Sequence, residues 1–209
     1  ELCRDIEFSL IFVESHGPAL DGTLFTRKLR RGRSLCRQAP VIMVTAQATA
    51  TLIKNARDAG VHEFVRKPYA AGDLLKRIEA ACLKPRDWVE AVGYVGPDRR
   101  RFNSAEYEGP RKRKADASAG AGAKLEQAVR ILRSAVAAYD YDPEQAERAI
   151  AVQAGFLIAM LPDMAELRPR RAIEALQVAL ADKRVPDGVA GPAQELSDWL
   201  KLEPLAGAA

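Results

Sequence analysis

Pro40-Val-Ile-Met-Val-Thr45 decides the fold class of this chain. Its unbroken apolar run offers no polar face to solvent. It therefore reads as a strand covered on both sides, as strands of parallel sheets are. Working outward, two further short runs share this character. Ser9-Leu-Ile-Phe-Val13 is followed by the turn signal Gly17-Pro18, and Val61-His-Glu-Phe-Val65 is closed by Lys67-Pro68. Stretches with helical spacing follow at about 21–31, 49–59 and 71–82; in the last, Leu74, Leu75, Ile78, Ala81 and Cys82 are expected on one face. Short apolar strands alternating with helices imply βαβ units and a parallel sheet.

The chain has 209 residues, 48% hydrophobic and 29% charged, which is enough for one or two cored domains and argues against wholesale disorder. The longest apolar run, Ala154 to Leu161, is too short to span a bilayer, and no secretory signal pattern opens the sequence. The cysteines Cys3, Cys36 and Cys82 form no CxxC, and there are only two histidines, so neither a disulfide framework nor a structural zinc site is expected. A reducing cytoplasm is the expected compartment, with no membrane partner.

Composition divides the chain at residues 1–83, 84–123 and 124–205. The last part reads as a small all-α domain. Leu125, Val129, Leu132, Val136 and Tyr139 mark one apolar stripe. A second helix starts at Asp142-Pro143, with Gln145 in a capping-box-like position, and stops near Leu161-Pro162. A third covers about 169–182 with Ile173, Leu176 and Leu180 inward, and a short fourth begins near Pro192 and carries Leu196, Trp199 and Leu200.

Open α/β sheets place their sites at the carboxyl ends of the strands. Those ends hold Glu14, Thr45 and Lys67: an acid, a hydroxyl and an ammonium, a set suited to an anion or phosphoryl group. The arrangement resembles the receiver domain of two-component response regulators over residues 1–83. Ser9-Leu-Ile-Phe-Val-Glu14 resembles that family's strand ending at the phosphoacceptor, and Ser15-His-Gly-Pro-Ala-Leu-Asp-Gly22 its following loop, with Pro18, Asp21 and Gly22 in place. Val41-Ile-Met-Val-Thr45 resembles the strand ending at the switch threonine. Asp58-Ala-Gly-Val-His-Glu-Phe-Val-Arg-Lys67-Pro68 resembles the strand that carries the switch aromatic, here Phe64, and the lysine–proline pair. The resemblance implies a flavodoxin-like parallel sheet, here partial. It also implies a face of Thr45, residues 49–59 and Phe64 that is remodelled by phosphorylation.

Two departures qualify it. The phosphoacceptor position holds Glu14 where the family uses aspartate. Glutamate keeps the charge and adds a methylene, so its carboxylate is expected to reach toward Lys67 and Thr45 and partly imitate the phosphorylated state; a decayed site is the alternative. Glu1-Leu-Cys-Arg also resembles the end of the family's second helix. A fragment is therefore expected, with an open edge at Ser9–Val13 unless a partner chain completes the sheet. No cofactor is evident; Mg2+ is expected only if a missing N-terminal strand supplies the family's acidic pair.

The middle segment contains a repeat, Tyr94-Val-Gly-Pro-Asp-Arg-Arg-Arg101 and Tyr107-Glu-Gly-Pro-Arg-Lys-Arg-Lys114. Gly-Pro disfavours helix and strand, so extended or turn segments are expected. Tyr94, Arg99, Arg100, Arg101, Tyr107, Arg111, Lys112 and Arg113 are candidates for docking an acidic partner. A solvated linker whose aromatics pack back on the first domain is the competing reading. Glu90, Asp98, Glu106 and Glu108 break up the positive charge and disfavour nucleic acid.

The remaining residues carry less. His16 is read as a solvated loop residue, and His62 as lacking a partner. Ser34 and Cys36 form no triad-like pattern, and Met160 and Met164 beside Phe156 and Leu157 are read as bundle core. Arg168-Pro-Arg-Arg171 opposes the helix dipole and is read as a solvated turn. No histidine follows His62, so a histidine phosphotransfer bundle is not expected, and no nucleophile–base pair suggests an enzyme. The expected function is two-component signalling by protein–protein interaction, with a sensor histidine kinase or downstream protein as partner and a homodimer as a further option. The rival is a DNA-binding transcriptional regulator using the helical domain and basic linker. It needs a basic recognition surface, whereas Glu144, Gln145, Glu147, Arg148, Arg170, Arg171, Glu174 and Gln177 form a mixed set.

Overall fold

A computed structural model of the chain describes residues 2–17, 20–84, 86–99, 121–163 and 165–202. The chain divides into two compact units, Glu1–Val89 with Gly93–Arg100, and Glu90–Val92 with Arg101–Ala209. Pro18, Arg100, Arg101, Tyr107, Arg111, Lys112, Arg113 and Met164 lie outside the described residues.

The first unit opens with a single helical turn, α1 (Leu2–Asp5), followed by β1 (Ile11–Glu14), α2 (Gly22–Arg31), β2 (Val41–Thr45), α3 (Ala50–Asp58), β3 (Glu63–Arg66) and α4 (Ala71–Cys82). The three strands form a parallel sheet in the order β1-β2-β3. Register pairs Ile11 with Val41 and Ile42 with Glu63. As its composition demands, β2 is buried at every position. Val41 and Met43 pack with Val13, Leu29, Ala56 and Val61 on one face, and Ile42 packs with Val65 and Ala81 on the other.

Strand starts differ from the sequence reading for backbone reasons. Pro40 has no N–H, so the ladder begins at the next residue, and β1 begins opposite it at Ile11. The Val61 N–H is bonded to Ala56 O at 3.2 Å, which ties that residue to the end of α3 and delays β3 to Glu63. Asp21 and Thr49 cap α2 and α3, accepting from Leu24 N at 2.9 Å and Leu52 N at 3.2 Å. The face of α4 also differs. Leu74, Ile78 and Ala81 pack on the sheet, whereas Leu75 and Cys82 are exposed. Spacing of four and three selects one stripe, and a residue directly beside its member lies about 100° around the helix.

The segment expected to be a linker is folded where it is described. β4 (Trp88–Glu90) pairs with β5 (Val95–Pro97) in a two-stranded ribbon, so Gly96-Pro97 lies in a strand. A two-stranded ribbon is all edge, and an edge tolerates proline's missing donor. Gly96 has φ of 155°, and a Cβ there would meet Gly60 Cα at 2.8 Å, so glycine alone allows this approach.

The second unit holds α5 (Ala121–Ala137), α6 (Pro143–Ala159), a 3-10 turn at Leu161–Asp163, α7 (Leu167–Ala181) and α8 (Asp187–Trp199). Leu125, Val129, Leu132, Ile150, Leu157, Ile173, Leu176 and Leu196 form its core. Val136 and Tyr139 pack half-buried against it, which completes the expected stripe, and Met160 does likewise. Phe156 instead is 37% exposed, one residue round the helix from core Leu157. Asp142 caps α6 as expected, accepting from Gln145 N at 3.4 Å. The Gln145 side chain does not close a capping box, and it is not on the surface. It is buried, and its Nε2 donates to Glu90 Oε1 at 2.5 Å. α8 starts before Pro192, which lies inside the helix.

Leu132→Ala is expected to destabilise the helical unit by about 2–5 kcal/mol in urea denaturation, since it empties a fully buried site. Val152→Ala, on the exposed side of α6, is expected to change stability by less than about 0.5 kcal/mol.

Candidate functional site

The parallel sheet brings Glu14, Thr45 and Lys67 to one end, as the sequence implied. Glu14 closes β1 with its side chain outward, and Lys67 follows β3. Lys67 N–H donates to Thr45 O at 2.7 Å, and Ser15 N–H to Val44 O at 2.9 Å, so all three residues sit on paired backbone. Gly22 closes in from α2. A Cβ there would come within 2.1 Å of Glu14 O, so this position requires glycine. Lys67 Nζ donates to the Glu14 carboxylate. That hydrogen bond, with the opposite charge behind it, raises the Lys67 pKa above its ordinary value, while desolvation acts in the opposite direction.

Thr45 does not engage Glu14. Its hydroxyl, 3% exposed, accepts from Ser15 Oγ at 2.7 Å and Gln47 N at 3.1 Å, and donates to Gln47 O at 3.1 Å. A hydroxyl has one hydrogen to give, and here it is spent on the backbone. The sequence reading missed Ser15. The available signal is strand alternation: if Glu14 points out, its neighbour points in.

A hollow of about 390 Å³ opens beside the pair, with Phe12, Tyr69 and Leu74 on its apolar side and Glu14 and Lys67 lining it. Phe64 is half-buried against the Val13–Met43 face of the sheet. Asp21 caps α2, His16 and Asp21 form an isolated backbone bridge, and the Lys67–Pro68 bond is cis. α3 buries only Ala56 and leaves Ile53 43% exposed.

Two other expectations need correction. Tyr94 is not a free anchor. It is 7% exposed and its hydroxyl donates to Pro97 O at 2.6 Å. Burial raises its pKa to about 12. Arg99 lies over the Tyr94 ring, 4.1 Å from its centroid, and pairs with Asp58 at 2.5 Å. Here the aromatic packs back on its own unit. His62 does have partners. Its Nδ1 faces Arg30 Nη2 and Val41 N, each at 3.2 Å. Since the Val41 N–H can only donate, Nδ1 accepts and the ring proton sits on Nε2. Burial, then the cations Arg30 and Arg86, lowers the His62 pKa to about 3.

Residues 1–79 match the family model of the response regulator receiver domain. The parallel sheet and the site at its carboxyl end agree with that match. The chain is 33% identical over 86 residues to the uncharacterized transcriptional regulatory protein YkoG of Bacillus subtilis, covering 41% of this chain and 36% of that protein. It is 36% identical over 59 residues to the transcriptional regulatory protein PdtaR of Mycobacterium tuberculosis, covering 28% and 29%. It is 35% identical over 72 residues to the chemotaxis protein CheY of Pseudomonas aeruginosa, covering 34% and 57%. The chain thus spans between 29% and 57% of the length of these relatives. No solved structure matches it.

Because His62 stays neutral in the folded state to about pH 3 but protonates near 6.5 when unfolded, its contribution is intact above pH 6.5 and is lost as pH falls toward 3. The slope is up to about 1.4 kcal/mol per pH unit. His62→Asn keeps an acceptor near Nδ1 and removes the titration. Its denaturation midpoint, followed by Trp88 fluorescence in a Trp199→Phe background, is expected to vary less over that range than that of the parent.

Proposed function

We propose that this chain acts in two-component signalling by protein–protein recognition, with Glu14 as a standing negative charge in place of a transferable phosphoryl group. The observation that carries this is the Glu14–Lys67 ion pair at the phosphoacceptor position. The lysine that would balance a phosphoryl group already has a permanent carboxylate to balance. Thr45, held by Ser15 and Gln47, takes no part in that balance. The charge half of an activated site is therefore present and the hydroxyl half is not.

Recognition then falls to the surface that follows. α3 is thinly buried, and Phe64 lies half-buried on the neighbouring strand. A sensor histidine kinase or a downstream signalling protein is the partner class this face suits, and a second copy is a further one. No reaction step is assigned to the chain. Among the described residues, no group of three or more His, Cys, Asp or Glu side chains is arranged to hold a metal ion, so a divalent ion would take its further ligands from outside them. Among the described residues no helix is long and apolar enough to cross a membrane. We place the protein in the cytoplasm.

The names of two relatives, both transcriptional regulatory proteins, favour a second reading in which the helical unit acts on DNA. Its outer surface gives little support. Arg148 pairs with Glu144 at 3.5 Å and Arg170 with Glu174 at 3.1 Å, which leaves no basic stripe on α6 or α7 from those residues.

The natural full-length protein, incubated with a small-molecule phosphodonor and Mg2+, is expected to gain no phosphoryl mass on Glu14. A stable phosphoryl adduct there would overturn the reading. A duplex-DNA complex that weakens steeply with salt would establish the second reading instead.

A further inference from the structure

The amino ends of the strands, opposite Glu14, hold a second feature that the signalling reading leaves unused. Arg30 is 1% exposed beneath it. Its Nε donates to Gly60 O at 3.0 Å, and its Nη1 to Arg37 O at 2.6 Å and Ala39 O at 2.9 Å. Ala39 precedes β2 and Gly60 precedes β3, so this guanidinium stitches the amino end of the sheet to the end of α2. Above it lies a concave pocket of about 390 Å³, lined in part by Arg27, Arg30, Arg31, Asp58, Tyr94 and Arg99. Arg27, Arg30 and Arg99 bring guanidinium groups to the same wall as one carboxylate, Asp58.

The helix dipole accounts for some of this charge. Lys28, Arg30 and Arg31 occupy the last turn of α2, where cations are favoured. It does not account for Arg99, which lies outside the helix and lines the same pocket. Arg99 is held in place on purpose-built backbone: Gly96 presses against Gly60, Tyr94 packs beneath, and the Arg99 guanidinium stacks on the Tyr94 ring. Asp58 pairs with it at 2.5 Å. Desolvation lowers the pKa of Arg30 to about 10, with Tyr94 opposing and Arg37 adding to the shift, so an anion above it relieves a buried cation.

We propose that the first unit binds a small oligophosphate anion in this pocket, with Arg27 and Arg99 as its direct contacts and Arg30 supplying field from below. Arginine's planar fork suits phosphate oxygens, and a walled, concave setting strengthens each contact over its worth on open surface. The Tyr94 ring is already covered by Arg99, so the phosphate chain, not a base, is what the pocket recognises. The site is independent of the Glu14 reading.

The test is isothermal titration of the full chain with inorganic tripolyphosphate at about 0.15 M ionic strength. One-to-one binding is expected, weakened about tenfold by Arg27→Ala, the loss of one charge-assisted contact, and further by Arg27→Glu. Arg27 is exposed, so both variants are expected to keep the parent's unfolding midpoint. Replacing Arg111, Lys112 and Arg113 together by alanine is expected to leave the affinity unchanged. Adenosine triphosphate is expected to bind no more tightly than tripolyphosphate. Absence of binding, binding that survives Arg27→Glu, binding lost with the Arg111–Arg113 replacement, or tighter binding of adenosine triphosphate than of tripolyphosphate would overturn the proposal.

Discussion

The burial of β2 on both faces is the constraint on which the first unit depends. With Val41 and Met43 committed to one side and Ile42 to the other, no position of this strand can tolerate a shift by one residue. That fixes the register of both neighbours. Register in turn delivers Glu14, Thr45 and Lys67 to one end of the sheet, and the carbonyls that Arg30 ties together to the other. Helix caps and the close approach of Gly22 to Glu14 refine positions that the strand has already set.

The Glu14–Lys67 pair is exposed, and exposed ion pairs contribute little to folding. Its importance is one of position and charge. A carboxylate with one methylene more than aspartate spans to the lysine without help, while the neighbouring hydroxyl is drawn inward by Ser15 and Gln47. The carboxylate thus engages the lysine and leaves the threonine to Ser15 and Gln47.

Much of this was legible in the residues. The β2 run, the helix intervals and the α5 stripe were readable because each is a local pattern of apolar spacing. The acid, hydroxyl and lysine were readable because strand ends are where such sheets carry chemistry. What escaped depends on tertiary placement. Ser15 matters only once Thr45 is seen turned toward it. His62 acquires partners from α2 and β2, twenty or more residues away in sequence. Gln145 looked like a capping residue and instead meets Glu90. Tyr94 was open between an exposed anchor and an aromatic packed back on the first unit, because a Gly-Pro step next to arginines has the composition of a linker. Its burial follows from the ribbon and from the close pass of two glycines, which no composition count contains.

On the reading proposed for this chain, Glu14 loads Lys67 permanently without engaging Thr45. Nuclear magnetic resonance of the Lys67 ammonium and the backbone amides, in the parent and in Glu14→Gln, tests this most directly. The substitution is expected to lower the Lys67 pKa toward its ordinary value, to shift the amides around Lys67, and to leave the Ser15–Thr45–Gln47 amides nearly unmoved. An unchanged lysine, or a Thr45 resonance that moves as far as that of Lys67, would contradict it.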